Sequence, residues 1–308
     1  MRKAFADTLF HCALENEKVM LLTGDLGYQL FDSFDETFTG RFINVGVAEA
    51  QMMSAAAGLA VEGYKPVAYS IASFATARPF EQIRYCIGYP QLPVLIVGAG
   101  RGLLYGQSGV SHHAMDDVAL MSAIPGMTVV LPGDKYELAA LLPQLLELDS
   151  PSYMTVGRYG EPTYTAEEKI RLGRIRLLRS GEKLTLFSTG EIANEVVNAV
   201  DILNQSGIFP KAYQVHTVKP LDFECLESEA ELSDVFVVIE EHLPQGSLWS
   251  AIAQWKAEHN SPIELVRIGP PDAFLLGNKR RDEYRRNYSM DTDGLVIKIS
   301  EIWVDYEL

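Results

Sequence analysis

The stretch Arg41-Phe42-Ile43-Asn44-Val45-Gly46-Val47-Ala48-Glu49-Ala50-Gln51 decides the fold of this chain. An apolar run of strand length stops at a glycine, and beyond it the apolar residues recur with helical period. This is a strand feeding a helix, the repeating unit of a parallel sheet. Glu49 is a lone carboxylate in the first turn of that helix. An acid at a helix start complements the helix dipole, which is its blander role. The residues behind it, Met52, Met53, Ala55, Ala56, Ala57, Gly58, Leu59 and Ala60, are small or apolar. The helix, expected over 48–61, therefore packs closely on a neighbour, and its leading carboxylate is desolvated at that contact.

The same unit recurs outward in both directions. Val19-Met20-Leu21-Leu22 is a strand closed by Gly24-Asp25-Leu26-Gly27, and Pro66-Val67-Ala68-Tyr69-Ser70 precedes a helix expected over 76–86. Leu95-Ile96-Val97 ends at Gly98-Ala99-Gly100, and Met127-Thr128-Val129-Val130-Leu131 leads to a helix over 136–148. Continuous apolar runs of this kind are strands buried on both faces. The periodicity lapses between Val156 and Arg174, where Gly157-Arg158-Tyr159-Gly160-Glu161-Pro162 has the composition of a linker. It resumes at Leu184-Thr185-Leu186-Phe187 and continues through Ala212 to Val215, Val235 to Ile239 and Ile263 to Val266, with helices over 191–203 and 247–257. The expected fold class is α/β with two parallel-sheet domains, divided as 1–165, a linker at 166–180, and 181–308.

The chain has 308 residues with 41 acidic against 26 basic side chains, a formal charge of -15. That balance disfavours nucleic acid and anionic membrane surfaces as partners. The one dense basic cluster, Lys279-Arg280-Arg281 with Arg285-Arg286, alternates with acidic and aromatic residues and is expected to be a solvated helix face. Cys12, Cys86 and Cys225 are odd in number and far apart, so neither a disulfide framework nor a zinc site is indicated, and a reducing cytoplasm fits best. No apolar run approaches the length of a membrane span.

Ligands of an open parallel sheet bind beyond the carboxyl ends of its strands. Four segments share that edge in the first domain: 24–27, 46–49, 73–80 and 98–113. None carries a dinucleotide fingerprint or a phosphate loop, and Gly98-Ala99-Gly100-Arg101-Gly102 comes nearest. Phe74 follows a strand end, where a ring can present a flat face to the crevice. The doublet His112-His113 follows a glycine-rich loop. Adjacent side chains diverge, so the pair is no metal site, but it suits proton transfer.

Taken in order, Gly24-Asp25-Leu26, the stretch around Glu49, Phe74-Ala75-Thr76-Ala77-Arg78, Ser111-His112 and Ile124-Pro125-Gly126-Met127-Thr128-Val129 resemble the carboxyl-terminal subunit of split transketolases. Ser188-Thr189-Gly190, Val238-Ile239-Glu240-Glu241-His242 and Gly269-Pro270-Pro271-Asp272-Ala273-Phe274 resemble the same family's last domain. The resemblance implies a pyrimidine-binding domain for thiamine diphosphate, followed by a transketolase C-terminal domain. By similarity Glu49 would be the catalytic partner of N1′ of the aminopyrimidine, Phe74 would pack on that ring, Phe80 would complete the aromatic wall, and Asp25 would lie nearby. Ala77 takes a place that is aromatic in single-chain members.

His112 would face the substrate as the second catalytic residue, while Arg2 and Arg158 would contact its phosphate. Ser108, His113 and Arg101 are the remaining substrate-side candidates. Ser108 stands where an acidic residue is usual, Gly100 where a His is usual, and His113 where Gln is usual. Arg2 and Arg158 imply a phosphorylated or otherwise anionic sugar, and Ser108 in place of an acid implies one of atypical stereochemistry, deoxygenation or modification.

The family's Gly-Asp-Gly diphosphate and metal motif is missing from this sequence. The resemblance therefore implies a separate amino-terminal subunit holding the diphosphate and its Mg2+ or Ca2+, in an α2β2 assembly. The activity it implies is transfer of a two-carbon ketol unit between a ketose or its phosphate and an aldose. Two alternatives share the fold: the β subunit of a 2-oxo-acid dehydrogenase, and a non-catalytic partner subunit.

Overall fold

A computed structural model of the chain describes residues 1–158, 162–164 and 169–307. Tyr159, Gly160 and Glu161 of the expected linker, and the expected domain boundary at 165/166, lie outside the described residues. The strands are β1 (Val19–Thr23), β2 (Phe42–Asn44), β3 (Lys65–Ile71), β4 (Leu95–Ala99), β5 (Thr128–Val130), β6 (Ser152–Val156), β7 (Arg176–Arg179), β8 (Lys183–Ser188), β9 (Lys211–Gln214), β10 (Thr217–Lys219), β11 (Ser233–Ile239) and β12 (Glu264–Ile268). They form two sheets, ordered β10-β5-β6-β4-β3-β1-β2 and β12-β11-β8-β9-β7.

Both sheets are parallel except at one edge each. β10 runs antiparallel to β5, and β7 antiparallel to β9. The fold is thus α/β with mixed, mostly parallel sheets. β10 belongs by sequence to the second half yet pairs with the first sheet, Thr217 opposite Val130, and so stitches the halves together. β7 lies within the stretch expected to be linker. Hydrophobic pattern alone does not disclose β6, β7 or β10: two are short, and Ser152 and Thr155 interrupt the apolar run of the third.

β1 shows why these strands are central: all five of its residues are buried, as two-sided burial requires. Helix Glu49–Val61 buries Met52, Met53, Ala56, Ala57 and Ala60, and its small residues let it lie close to the sheet. One core cluster runs from this helix through Val118 and Ile124 to Phe187 and Phe236 of the second sheet and to Trp255 of helix Leu248–Glu258, so the two halves share apolar packing. A second cluster lies under helices Arg2–Glu15 and Lys135–Glu147 on the other face of the first sheet.

After β3 the expected single helix over 76–86 is divided. Helix Ala72–Thr76 begins earlier, Pro79 interrupts, a short turn spans Phe80–Gln82, and a π-helical stretch covers Ile83–Gly88. Proline has no N–H to continue the ladder, which accounts for the break. The early start brings Phe74 into the helix at the strand's end.

The basic cluster corrects another expectation. Arg280 and Arg286 are exposed and pair with Asp282, but Arg281 and Arg285 are drawn inward. Arg285 Nε donates to Glu241 Oε1 at 2.7 Å, Arg281 Nε to the same oxygen at 2.8 Å, and Arg281 pairs with Glu191 Oε2 at 2.6 Å. Burial pushes the Glu241 carboxyl up, and the two guanidiniums outweigh it and hold it well below the usual range. Arg101 reaches the same network from the first sheet, pairing with Glu191 Oε2 at 3.3 Å.

Candidate active site

The order β4-β3-β1-β2 within the first sheet places the carboxyl ends of four parallel neighbours side by side. Their following segments begin at Gly100, Ala72, Gly24 and Val45, so the four segments singled out by sequence do converge. Gly24 lies where they meet: a Cβ on it would make ordinary contacts, 3.4 Å to Gly46 O, 3.8 Å to Ser70 Oγ and 4.0 Å to Glu49 Cγ.

Glu49 opens its helix and is 5% exposed. Arg78 Nη1 donates to its Oε1 at 3.1 Å, and the Arg78 guanidinium carbon lies 3.8 Å from the Phe74 ring centroid. Phe74 in turn meets the His112 ring at 5.0 Å and 64°. Glu49, Arg78, Phe74 and His112 therefore form one continuous patch. The loop that carries His112 is tied to Phe74's own segment, because Ser73 Oγ donates to Ser111 O at 3.1 Å. Ser111 Oγ also lies 3.0 Å from His112 Nδ1, which fixes the ring's orientation. Burial, then the Arg78 charge, then His113 keep the His112 imidazole below its usual range.

Tyr105 extends the patch. Its ring lies 6.1 Å from that of His112, and two guanidinium carbons approach it, Arg2 at 5.9 Å and Arg158 at 5.6 Å. Arg2 also donates a hydrogen bond to the Tyr105 hydroxyl. The two arginines, far apart in sequence, are thus brought together on one phenol. Tyr105 also explains the glycine at position 100. Gly100 has φ +83°, a conformation that strains other residues, and a Cβ there would run into the Tyr105 ring, which would have to move. Ser108 is exposed at the end of the turn Gly106–Ser108, which follows this ring directly.

Three candidates stand elsewhere. Arg101 is 2% exposed, with Nη1 donating to Pro132 O and Thr155 Oγ1, both at 3.1 Å. With Glu191 as its ion partner it is committed to the junction of the halves, which removes it from the substrate side. His113 is 6% exposed, its Nε2 3.2 Å from Gly106 O and its ring 5.6 Å from Tyr284. Its ring thus packs on the second half of the chain, while His112 faces Phe74. Phe80 is half-buried against the main core cluster, and among the described residues no ring contact joins it to Phe74.

Asp25 is in the left-handed region, φ 59°, and exchanges hydrogen bonds with Asn44: its N–H donates to Asn44 Oδ1 at 3.0 Å, and Asn44 Nδ2 donates to its Oδ1 at 3.2 Å. Asn44 Oδ1 also accepts from Gly46 N at 3.0 Å, so Asp25 braces the turn that leads to Glu49. Arg78 and Tyr105 are the side chains that pattern reasoning passes over. Arg78 sits inside a quoted motif without a role of its own, and a bulky aromatic five residues after a glycine is too common a signal to single out Tyr105.

An aminopyrimidine ring needs a flat apolar face and a carboxylate in the plane of its edge. A planar guanidinium already makes both contacts on Phe74 and Glu49, so these residues fit such a ring. Ser70 Oγ, buried beside Gly24 with no partner among the described residues, adds an unused polar group to the same wall. Among the described residues no cluster of His, Cys, Asp or Glu is arranged to hold a metal ion.

Comparison with known proteins locates these features in a family. The model described as "Transketolase, pyrimidine binding domain" matches residues 1–159, and "Transketolase, C-terminal domain" matches residues 173–293. The 6-deoxy-6-sulfo-D-fructose transketolase subunit SqwH of Clostridium sp. (strain MSTE9) is 36% identical over 276 residues, covering 89% of this chain and 85% of that one. An apulose-4-phosphate transketolase subunit of Phocaeicola vulgatus is 30% identical over 297 residues, covering 96% of this chain and 94% of its own length. A solved structure titled "Split gene transketolase, inactive beta4 tetramer" superposes with a TM-score of 0.89 at 32% identity, covering 97% of each chain.

Proposed function

The chain belongs to the transketolase family, and from that premise we propose that it is the pyrimidine-binding subunit of a two-chain enzyme that moves a two-carbon ketol unit from a ketose to an aldose. The observation that carries the reading is the convergence of Glu49, Phe74 and His112 at the carboxyl edge of β1 to β4. Thiamine diphosphate, when bound, supplies the nucleophilic carbon and the electron sink that the protein's own side chains lack. Glu49 would hold the aminopyrimidine edge through a hydrogen bond at N1′, and Phe74 would support the ring's face. His112, neutral at neutral pH because its imidazole is held low, would accept a proton from the sugar hydroxyl or return one to it. The diphosphate and its metal ion would be held by an amino-terminal partner subunit, as the missing Gly-Asp-Gly motif implies. The relatives named as transketolase subunits, and the neighbour whose title calls its β4 tetramer inactive, support this division of labour.

The substrate proposed is an anionic ketose of unusual form. Arg2 and Arg158 converge on Tyr105 at the His112 side of the patch, and guanidiniums grip phosphate or sulfonate oxygens through paired hydrogen bonds. Exposed Ser108 accepts hydrogen bonds more weakly than a carboxylate, so selection for one hydroxyl configuration is relaxed. Two relatives whose names carry a sulfonated deoxy-ketose and a ketose phosphate point the same way. Reconstitution with the partner subunit tests both halves. Ketol transfer to aldoses should occur, acyl transfer to a lipoyl domain should not, and Arg158→Ala should raise KM for anionic donors above that for neutral ones. Lipoyl acylation as the main activity, or an unchanged KM ratio, would sink the respective half.

A further inference from the structure

Arg78 pairs with one carboxylate and covers one ring, and both belong to side chains assigned to the pyrimidine. Its Nη1 is 3.1 Å from Glu49 Oε1, and its guanidinium carbon is 3.8 Å from the centroid of Phe74. A guanidinium is flat, offers N–H donors in its plane and packs its face on aromatic rings. An aminopyrimidine held by Glu49 and supported by Phe74 has to meet the same carboxylate and the same ring. With the guanidinium 3.8 Å from the Phe74 centroid and bonded to Glu49, a second flat group cannot lie on the same face of Phe74 and meet the same carboxylate oxygen.

We propose that Arg78 is a positioning residue of the cofactor site, whose guanidinium takes the place of the aminopyrimidine ring in the free chain, keeps the Glu49 carboxylate aimed into the crevice, and gives way when the ring arrives. The inference rests on the reading of Glu49 and Phe74 as the pyrimidine contacts. Two features suit such an exchange. Glu49 is almost fully buried, so a carboxylate left there without a cation or donor would be costly, and Arg78 meets that need before assembly. The Arg78 side chain is 48% exposed and stands beside exposed Ala77, so a long flexible stem can swing into solvent with little loss.

The test is a calorimetric titration of thiamine diphosphate with Mg2+ into the assembled two-chain complex, with wild type, Arg78→Ala, Arg78→Lys, Glu49→Gln and the Glu49→Gln/Arg78→Ala pair. If Arg78 must be displaced, Arg78→Ala binds the cofactor more tightly by about 5- to 30-fold, the size of one partly exposed ion pair and one partly exposed cation–π contact given up together. Arg78→Lys, which keeps the charge and loses the flat face, falls between wild type and Ala. In the Glu49→Gln background the gain shrinks to within roughly twofold, because the anchor of the guanidinium is already removed. Weaker or unchanged binding in Arg78→Ala would overturn the proposal, since a retained cofactor contact or a bystander gives those results. A wild-type complex that takes up no thiamine diphosphate would instead overturn the cofactor reading beneath it.

Discussion

Phe74 and His112 meet edge to face, their ring centroids 5.0 Å apart at 64°, although they come from segments that follow different strands. This contact joins the side chain assigned to the cofactor ring to the one assigned to the substrate. The two roles are therefore coupled through one pair of rings, and each can be disturbed separately.

His112→Ala removes the substrate-side group and leaves Glu49 and Phe74 in place. In the two-chain enzyme kcat should fall by about 100-fold or more, the range for positioned acid-base groups, while cofactor affinity changes by less than about threefold. A loss confined to cofactor affinity would contradict the assignment. The pH profile gives a second readout. His112 is held low chiefly by burial, so kcat/KM should decline as pH falls through its lowered pKa, and His112→Ala should flatten that acidic limb. A limb that persists unchanged in His112→Ala would place the titration on another group.

A different histidine governs acid stability. His216 lies at the crossing of the two halves, fully buried, with Nδ1 2.9 Å from Thr217 Oγ1, and burial with the nearby Arg176 charge pushes it down to about 3. The unfolded chain takes up a proton near pH 6.5 and the folded chain does not until about pH 3. Between those values the unfolded state binds more protons, so stability falls as pH falls, by on the order of 2 kcal/mol from this group at pH 5. Denaturant titrations at pH 7.5 and pH 5.0 should show a smaller difference for His216→Gln than for wild type. Equal differences would place the acid sensitivity elsewhere.

Much of this arrangement is legible in the sequence, and what escapes it has physical reasons. The strands buried on both faces stand out as apolar runs, and the segments after them come together, because helix starts gather at one edge of a parallel sheet. Arg281 and Arg285 look solvated by pattern because alternating charges read alike whether they face water or a buried acid such as Glu241, 40 and 44 residues away. Arg101 misleads in the same way: a glycine-rich loop suggests a ligand, and only the fold reveals that Glu191 is what it meets. β10 cannot be foreseen, since nothing local to Thr217–Lys219 says that it will pair with a strand of the other half. Arg78 stays hidden because its meaning lies in simultaneous contact with two residues that precede it by 29 and 4 positions.

On the proposed reading the isolated chain would supply contacts for a ring, and its sequence holds no Gly-Asp-Gly motif. It should fold alone, with cooperative unfolding, and bind thiamine diphosphate with Mg2+ more weakly than about 1 mM, because a ring contact already occupied by Arg78 leaves little net free energy. Calorimetry on the single chain checks this. Micromolar binding without a partner would show that the diphosphate is held by residues of this chain.

The most direct test of the central claim is turnover by Glu49→Gln in the two-chain enzyme at saturating thiamine diphosphate and Mg2+. Glutamine keeps the shape of the side chain but cannot carry the charge that steers the ring's tautomer at N1′. The account predicts an intact fold, seen as an unchanged circular dichroism spectrum and assembly state, with kcat lowered by at least about 100-fold. Turnover within roughly threefold of wild type, in a folded and cofactor-saturated complex, would contradict it.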